Sequence, residues 1–420
     1  MALNFSAFGV LPAGLAVTPT PFTLNVPNRD VHNLYSLVDS AYIAAPKYYN
    51  IHAYAPNGTF GVSRDWLIDS QKYWIDDFDW REEEAQQNKY PQWRLNVTAP
   101  SDGQVYDLHF AGLFSKKADA IPVTFLHGWP GSWLEFVGVL DLLAAKYTPE
   151  TLPYHVVVPS IPDYCLSTRV EESETELDMD QASEALNELM IALGFDAYVA
   201  QGGDVGSFLA QTMCGNHDEC KAYHLNMYFL TETQKESVAN ANLTITPAEE
   251  AILQGATAWA STGSAYANEH GTRPSTISLV LNTNPLAMLA WMGEKFIEWS
   301  DNVNATPLSL KTILNTVSLY WFTDTYVRAM WSYRVLTSIV GGTLPTMPTS
   351  FTKPFGYSAF PVEIASLPRT WAEHLFPNMV FYNAHAQGGH FAALQEPAAF
   401  LEDIEEFLEI VRPNVTSSSP

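Results

Sequence analysis

One aspartate is enclosed by glycines where an apolar run meets a helical pattern. The segment Val199–Ser207 reads VAQGGDVGS, with Asp204 at its centre. Small residues two positions before and two positions after a reactive residue are typical of a nucleophile elbow, because the chain there turns sharply from strand to helix. Most such elbows carry serine, whereas an aspartate predicts attack by a carboxylate on a saturated carbon with a leaving group, as in a strained epoxide or an alkyl halide. Taken alone, the motif could also be an ordinary capped turn.

The segment HGWPGS at positions 127–132 follows an apolar, strand-like run, Ile121–Leu126. Glycine and proline directly after a buried strand predict a tight loop at the sheet edge, where backbone N–H groups can face the elbow. We expect the N–H groups of Trp129 and of Val205, the residue after the aspartate, to form an oxyanion hole. A plain turn is again the alternative interpretation.

A histidine near the C-terminus is the candidate general base. The strand-like run Met379–Tyr382 is followed by NAHAQGGHF, and the two glycines before His390 would let its loop reach over the site. His385 is the competing candidate in the same loop. The two histidines could instead bind a metal together with a carboxylate, although no tight Cys/His spacing supports that interpretation.

A general base of this kind needs a carboxylate that holds its tautomer and supports the imidazolium. In the expected order of nucleophile, acid and base, the candidates between positions 204 and 390 include Asp324, Glu363 and Glu373. Glu363 belongs to the strand-like run Phe360–Ile364, so a sheet would carry it to the same edge as the elbow. Glu373 follows a Pro-Arg turn, which is typical of a surface charge.

The elements that must position these residues alternate between strand and helix patterns, which predicts an α/β fold with a mostly parallel, doubly wound sheet. Residues 231–344 are rich in helical patterns, especially Ala287–Trp299 and Leu308–Ser338, and predict a lid over the C-terminal ends of the strands. A final amphipathic helix, Pro397–Val411, is expected to end before Pro413 and a serine-rich, disordered tail. We divide the chain into an N-terminal extension, a first core part, a lid and a second core part, at residues 1–90, 91–230, 231–344 and 345–420.

Composition narrows the possible partners. The chain has 420 residues, a hydrophobic fraction of 47% and a formal net charge of −25. Its length and apolar content are sufficient for one large domain with an insertion. The charge argues against nucleic acid and anionic membranes, since both would repel it. No apolar run approaches the roughly 20 residues that cross a bilayer, so we expect no transmembrane segment.

Cysteines and glycosylation sequons bear on the compartment. Cys214 and Cys220 could close a short disulfide loop, which would leave Cys165 unpaired. The possible disulfide, the number of glycosylation sequons and the acidic composition favour a secretory route. The N-terminus, however, lacks the basic start of a signal peptide. We expect either a mature secreted form or, alternatively, a cytoplasmic protein. Six Asn-x-Ser/Thr sequons occur, at Asn4, Asn57, Asn96, Asn242, Asn304 and Asn414.

Taken together, these segments resemble the epoxide hydrolases of the microsomal type, within the α/β-hydrolase family, and the soluble fungal members in particular. The resemblance covers nearly the whole chain and is highly specific as a set. It implies an α/β-hydrolase fold with a helical cap, Asp204 as nucleophile, His390 as base and Glu363 as its acid. The matching segments are DFDWR at 77–81, HGWPGS at 127–132, GGDVG at 202–206, PVEI at 361–364 and GGHFAA at 388–393.

The resemblance also implies two lid tyrosines that hydrogen-bond the epoxide oxygen. Tyr266 and Tyr333 lie where the tyrosines of this family fall, while Tyr320 and Tyr326 are neighbours that could be confused with the second. The implied reaction converts an epoxide to a vicinal diol and requires no cofactor and no metal. The implied substrate is a small apolar epoxide, in detoxification or in a biosynthetic pathway, and a homodimer is plausible.

Two alternatives and one departure from the family remain. A haloalkane dehalogenase would share the elbow aspartate and the His-Gly-x-Pro loop but would hold halide with tryptophan or asparagine N–H groups. A catalytically inactive binding protein on the same scaffold would have no use for the complete set of five side chains. After the predicted strand His155–Pro159, Asp163 and Cys165 replace the two glycines of the Pro-Gly-aromatic-Gly turn that is usual in the family. This change concerns substrate preference rather than the catalytic residues.

Overall fold

The computed structural model describes residues 3–53, 60–170, 175–334 and 352–416. Its centre is one ten-stranded sheet with the order β1-β2-β3-β5-β4-β7-β8-β9-β10, while β6 pairs with the outer part of β3. The strands are β1 Thr20–Pro21, β2 Gln92–Thr98, β3 Val105–Leu113, β4 Ile121–Leu126, β5 Tyr154–Pro159, β6 Thr168–Arg169, β7 Tyr198–Gly202, β8 Cys220–Leu225, β9 Phe355–Ala359 and β10 Met379–Ala384.

The sheet changes from antiparallel to parallel along this order. The pairs β1–β2, β2–β3 and β3–β5 are antiparallel, whereas every pair from β5 to β10 is parallel. All six residues of β4 and all five of β7 are buried, as expected for central strands covered by helices on both faces. The predicted α/β-hydrolase fold with a mostly parallel sheet is confirmed.

Helices cover the sheet and form the lid. The N-terminal helices are α1 Asn28–Ser40, α2 Tyr48–Ile51, α3 Arg64–Asp76 and α4 Trp80–Gln87. The helices between the central strands are α5 Val137–Lys146, α6 Met179–Ala192 and α7 Val205–Asn216. The lid helices are α8 Glu232–Asn240, α9 Pro247–Ala258, α10 Ala265–Thr272, α11 Pro274–Leu281, α12 Pro285–Glu298, α13 Leu310–Phe322 and α14 Thr325–Arg328. The last helices are α15 Arg369–Leu375, α16 Ala392–Gln395 and α17 Pro397–Thr416.

The N-terminal segment packs against the lid helices and against the edge of the sheet. Helices α1 and α3 both pack against α12, and α4 packs against α13. Gly293 in α12 leaves the space that the Trp66 ring occupies, and the ring of Trp80 lies 4.7 Å from that of Phe322. The aromatic residues of this segment therefore hold the lid helices in place over the sheet.

Two predicted element boundaries are wrong. The strand expected at Phe360–Ile364 is β9, which ends at Ala359, so Glu363 lies in the loop that follows it. The helical pattern of Leu308–Ser338 forms helices α13 and α14, and its part beyond residue 334 lies outside the described residues. Helix α17 continues through Pro413 to Thr416, because Val415 is still buried against the core and proline removes a single helix hydrogen bond.

The compartment remains a prediction. Cys214 and Cys220 are joined in a disulfide, and Cys165 is free and buried. Within the described ranges the five sequon asparagines are exposed, while Asn57 lies outside them.

None of the described helices combines the length and the apolar character that a bilayer span requires. The expected tail beyond residue 416 is also outside the described residues, and the homodimer stays a prediction.

The loop after β5, which departs from the family pattern, has the backbone conformation of glycine at the two positions where the family has glycine. Asp163 has φ of 62° and Cys165 has φ of 45°, in the left-handed region that favours glycine. The Asp163 carboxylate accepts a hydrogen bond from Nε of Arg169 at 2.8 Å, and the Cys165 carbonyl accepts one from Arg328 at 2.9 Å. These contacts offset the strain that a side chain introduces at such positions.

We expect Asp163→Ala to destabilise the protein more than Asp163→Gly. Both changes remove the ion pair with Arg169, but only alanine keeps a Cβ in the left-handed conformation, which costs about 1 kcal/mol. The free energy of unfolding, measured by urea denaturation, should therefore be lower for the alanine variant. An alanine variant as stable as the glycine variant would contradict strain at this position.

Candidate active site

The elbow is the turn from β7 to α7. Asp204 has φ of 48° and ψ of −130°, a strained conformation for a residue with a side chain. A Cβ on Gly202 would overlap the carbonyl oxygen of Gly206, and a Cβ on Gly206 would overlap that of Leu126. The two glycines are thus required by close backbone approach, as the motif predicts. The turn presents the Asp204 carboxylate at the carboxyl ends of the parallel strands, where α/β sheets bind ligands.

The loop after β4 supplies a backbone donor to this carboxylate. The N–H of Trp129 donates a hydrogen bond to Oδ1 of Asp204 at 2.8 Å. Gly128 leaves room for the same oxygen, because a Cβ there would overlap it. Val205 is the first residue of α7, so its N–H has no acceptor within the helix. The two predicted oxyanion-hole residues therefore both lie next to Asp204.

His390 connects two carboxylates. Its Nδ1 atom lies 2.8 Å from Oε1 of Glu363, and its Nε2 atom lies 3.2 Å from Oδ2 of Asp204. The Glu363 side chain is fully buried, and that of His390 is 2% exposed. The structure thus brings the predicted nucleophile, base and acid into one row. The other candidates lie elsewhere, since the carboxylate of Glu373 is exposed near Arg369 and Asp324 is exposed at the start of α14.

His385 has a different partner. Its Nε2 atom lies 2.6 Å from Oδ2 of Asp403, and its ring stacks on that of Phe360 with centroids 4.4 Å apart. The Asp403 carboxylate also accepts hydrogen bonds from Ser358 and Asn383. This cluster joins β9, β10 and α17 and accounts for His385 as a structural residue.

The charge on His390 depends on its two neighbours. Burial alone would lower the pKa of the imidazole, but the carboxylates of Glu363 and Asp204 outweigh it and raise the pKa to about 10. The imidazole is therefore protonated at neutral pH in the free protein. Because the imidazolium and the two carboxylates are buried together, each charge is stabilised by the opposite charge beside it.

Two lid tyrosines close the site from above. The hydroxyl groups of Tyr266 and Tyr333 lie 3.5 Å apart, and both side chains are buried. The Tyr266 ring stacks on Trp129 with centroids 5.1 Å apart. Burial raises the pKa of both phenols well above 10, so they remain O–H donors over the ordinary pH range.

The competing tyrosines use their hydroxyl groups elsewhere. The hydroxyl of Tyr320 donates to the carbonyl of Gly131 at 2.7 Å, which braces the loop after β4. The hydroxyl of Tyr326 is hydrogen-bonded to Nε2 of His270. The structure therefore brings Tyr333, rather than either neighbour, together with Tyr266.

The unusual loop after β5 helps to hold Tyr333. The hydroxyl of Tyr164 is 2.8 Å from Oγ of Ser332, and the indole N–H of Trp331 donates to the carbonyl of Pro162 at 3.1 Å. This loop therefore acts on the lid segment that carries Tyr333.

A cavity of about 240 Å³ extends from Asp204 to the two tyrosines. Most of its walls are apolar, and Lys235 is its one cationic lining residue among the described residues. The apolar lining consists mainly of Val205, Phe208, Met227, Phe229, Trp259, Ala267 and Ile364.

Sequence reasoning missed three polar residues beside this site. The ammonium of Lys295, which pairs with Glu294, lies 4.7 Å from the centre of the Tyr266 ring. His270 is buried between the rings of Trp129 and Tyr333. Glu135 lies in the short turn Trp133–Phe136, which follows the loop after β4. None of the three belongs to a recognisable local pattern, because packing between distant segments brings them here.

We expect Asp204→Asn and Glu363→Gln each to lower the pKa of His390 below about 10. Each change removes a negative charge that stabilises the imidazolium, while burial continues to favour the neutral ring. NMR titration of labelled histidine would measure the shift. Asp403→Asn is the matched control, because Asp403 contacts His385 and should leave His390 unchanged. An unaltered His390 titration in both site variants would contradict the proposed charge coupling.

Two family models match the chain. The model of the epoxide hydrolase N terminus matches residues 19–136, and that of the alpha/beta hydrolase fold matches residues 121–246. The two matches overlap at β4 and the loop after it. Together they cover the N-terminal segment and the part of the core that carries Asp204.

Whole-chain comparisons give the same family. A candidate epoxide hydrolase of Dothistroma septosporum is 41% identical over 96% of this chain and 93% of its own length. Epoxide hydrolase 1 of Sus scrofa is 26% identical, over 93% of this chain and 88% of its own. The solved structure of Aspergillus niger epoxide hydrolase is 37% identical with a TM-score of 0.85, over 96% of this chain and 99% of that one. With its elbow aspartate, paired lid tyrosines and these relatives, the chain belongs to the epoxide hydrolases of the α/β-hydrolase fold.

Proposed function

We propose that this epoxide hydrolase acts through a covalent ester on Asp204 and releases a vicinal diol. The observation that carries the proposal is one cavity bordered by the Asp204 carboxylate on one side and by Tyr266 and Tyr333 on the other. An epoxide placed between them would meet a nucleophile at carbon and two O–H donors at oxygen. This geometry favours epoxide opening over halide displacement.

In the first step, a carboxylate oxygen of Asp204 attacks one epoxide carbon and the bond from that carbon to the ring oxygen breaks. The electron pair of that bond remains on oxygen, where the hydroxyl groups of Tyr266 and Tyr333 stabilise it by hydrogen bonding and proton donation. The high pKa of both phenols supports this role, because a phenolate could not donate. Ring strain is released in the same step, so these two donors suffice.

In the second step, neutral His390 takes a proton from water, and the hydroxide oxygen attacks the ester carbonyl of Asp204. The oxyanion of the tetrahedral intermediate is held by the N–H groups of Trp129 and Val205. Collapse breaks the acyl–oxygen bond, the hydroxyl proton of the intermediate passes to the leaving alkoxide, and the carboxylate and the diol result. The hydrogen bond from Trp129 to Asp204 in the free protein supports this donor assignment.

Ester formation changes the charge that His390 experiences. While Asp204 is ionised, it helps to hold the proton on the imidazole. The ester is neutral, so that contribution disappears and the pKa of His390 falls. The proton on His390 is then more easily passed to the newly formed tyrosinate, which leaves a neutral imidazole as base. Glu363 remains to orient the ring and to support the imidazolium of the second step.

The substrate that this cavity favours is a small apolar epoxide. Aromatic and aliphatic side chains from the core and the lid form most of its surface, and about 240 Å³ limits the size of the enclosed part of a ligand. Detoxification and a biosynthetic step are both compatible with such a substrate.

We expect His390→Gln to trap the ester and Asp204→Ala to abolish turnover. Glutamine cannot deprotonate water, so alkylation proceeds and hydrolysis does not. Mass spectrometry of the intact protein after incubation with styrene oxide, or another accepted epoxide, should show one added substrate mass in His390→Gln. No such mass should appear in Asp204→Ala. Loss of turnover in His390→Gln without an adduct would count against the covalent mechanism.

We expect Tyr266→Phe and Tyr333→Phe each to slow ester formation, by about 100-fold if these donors act as oxyanion donors do elsewhere. Single-turnover kinetics would measure this step. Tyr147→Phe is a matched control, because that hydroxyl bonds Glu405 on the outside of the core. Ester formation at the wild-type rate in both variants would remove the tyrosines from the mechanism.

A further inference from the structure

A second, much smaller cavity adjoins Asp204. Its volume is about 10 Å³, close to the least that admits a single water molecule. Asp204 and His390 both line it, so it lies where the second step needs its water. Its other polar lining residues are Glu135, Gln201 and Asn226.

The polar residues of this cavity have hydrogen-bonding capacity to spare. The Nε2 atom of Gln201 donates to Oδ1 of Asn226 at 3.0 Å, but its buried Oε1 atom has no protein partner among the described residues. The carboxyl group of Glu135 accepts a hydrogen bond from the backbone of Ser132. It occupies the space that a side chain at position 131 would fill, so Gly131 is needed to admit it. A buried water here would find more than the two polar partners that such a water needs.

The hydrolytic water has specific geometric requirements. One of its O–H groups must donate to Nε2 of His390, and a lone pair must face the ester carbon of Asp204. The second O–H then needs an acceptor that fixes the orientation of the water. Such an acceptor must lie in the same cavity as Asp204 and His390, which is where Glu135 lies.

We propose that this small cavity is the site of the hydrolytic water and that Glu135 positions this water by accepting its second hydrogen. The inference rests on the covalent mechanism proposed above. It assigns the two steps to two cavities, with the epoxide in the larger one and the water in the smaller one. The water is thereby already beside Asp204 when the ester forms, and it can donate to Nε2 once His390 has lost its proton.

The ionisation of Glu135 suits this role. Burial raises the pKa of its carboxyl group to about 8, the charge on His390 opposes the rise, and the charge on Asp204 adds to it. The group is therefore mainly protonated at neutral pH, and its carbonyl oxygen is still an acceptor. Glutamine has the same shape and the same carbonyl acceptor, whereas methionine has a similar length and no comparable acceptor.

The test separates ester formation from ester hydrolysis in single-turnover experiments with styrene oxide or another accepted epoxide. Glu135→Met should form the ester at close to the wild-type rate and hydrolyse it about 10- to 100-fold more slowly, so the adduct should accumulate. Glu135→Gln should hydrolyse the ester within a few-fold of the wild-type rate. Glu405→Leu is the control for losing a partly buried carboxylate, because Glu405 contacts Lys146 at the end of α5 and is remote from both cavities.

Each outcome decides a different question. Wild-type ester hydrolysis in Glu135→Met, with an adduct still trapped by His390→Gln, would overturn the role of Glu135 and leave the covalent mechanism standing. Equal slowing in Glu135→Met and Glu135→Gln would also overturn it, since the carbonyl acceptor would then not matter. Absence of an adduct in every variant, including His390→Gln, would overturn the covalent mechanism and this inference with it.

A crystal structure of the unaltered protein gives a measurement that does not depend on the folding of any variant. We expect density for one water at about 3 Å from a carboxyl oxygen of Glu135 and within reach of His390. A cavity without that density, or a water held by Gln201 alone, would overturn the proposal.

Discussion

The contact between one buried imidazolium and two carboxylates is the interaction on which the site depends. His390 has little exposed surface, and its charge is stable there only because Glu363 and Asp204 lie at 2.8 and 3.2 Å. Removing either partner would leave a buried charge without full compensation, which is costly in a low-dielectric interior. The elbow at Asp204 and the loop that carries Glu363 must therefore be placed accurately by the sheet beneath them.

The lid contributes to this placement as well as covering the site. The N–H of His390 donates to the carbonyl of Trp299, just after α12, at 2.8 Å. The N–H of Gly388 donates to the carboxylate of Asp301, and a Cβ at Gly389 would overlap the Trp299 carbonyl. The loop of His390 is thus bound to the lid, whose helix α12 is in turn held by α1 and α3. This connection gives the N-terminal segment a part in positioning the base, although it supplies no side chain to the site as described.

The two sides of Asp204 differ in chemistry. On the side of Tyr266 and Tyr333 the larger cavity is mainly apolar, which suits an apolar epoxide. The smaller cavity has several polar side chains in its walls and lies beside His390. In the proposed mechanism, the Asp204 carboxylate attacks an epoxide carbon in the larger cavity. Water from the smaller cavity then attacks the resulting ester. In the proposed mechanism, the change of Asp204 from anion to neutral ester links the two, because it lowers the pKa of the neighbouring imidazole.

Local patterns in the sequence were sufficient for the parallel sheet, the glycine-lined elbow at Asp204 and the loop of Trp129, because backbone sterics between near neighbours in the chain decide them. The sequence pattern places Glu363 on a strand, but that strand ends four residues earlier. Tyr266 and Tyr333 are identifiable only through the family resemblance. Glu135 carried no signal at all. The grouping of these side chains around one carboxylate was decided by tertiary structure, since it arises where the strand ends, the lid and the N-terminal helices pack together, and spacing along the chain does not encode that packing.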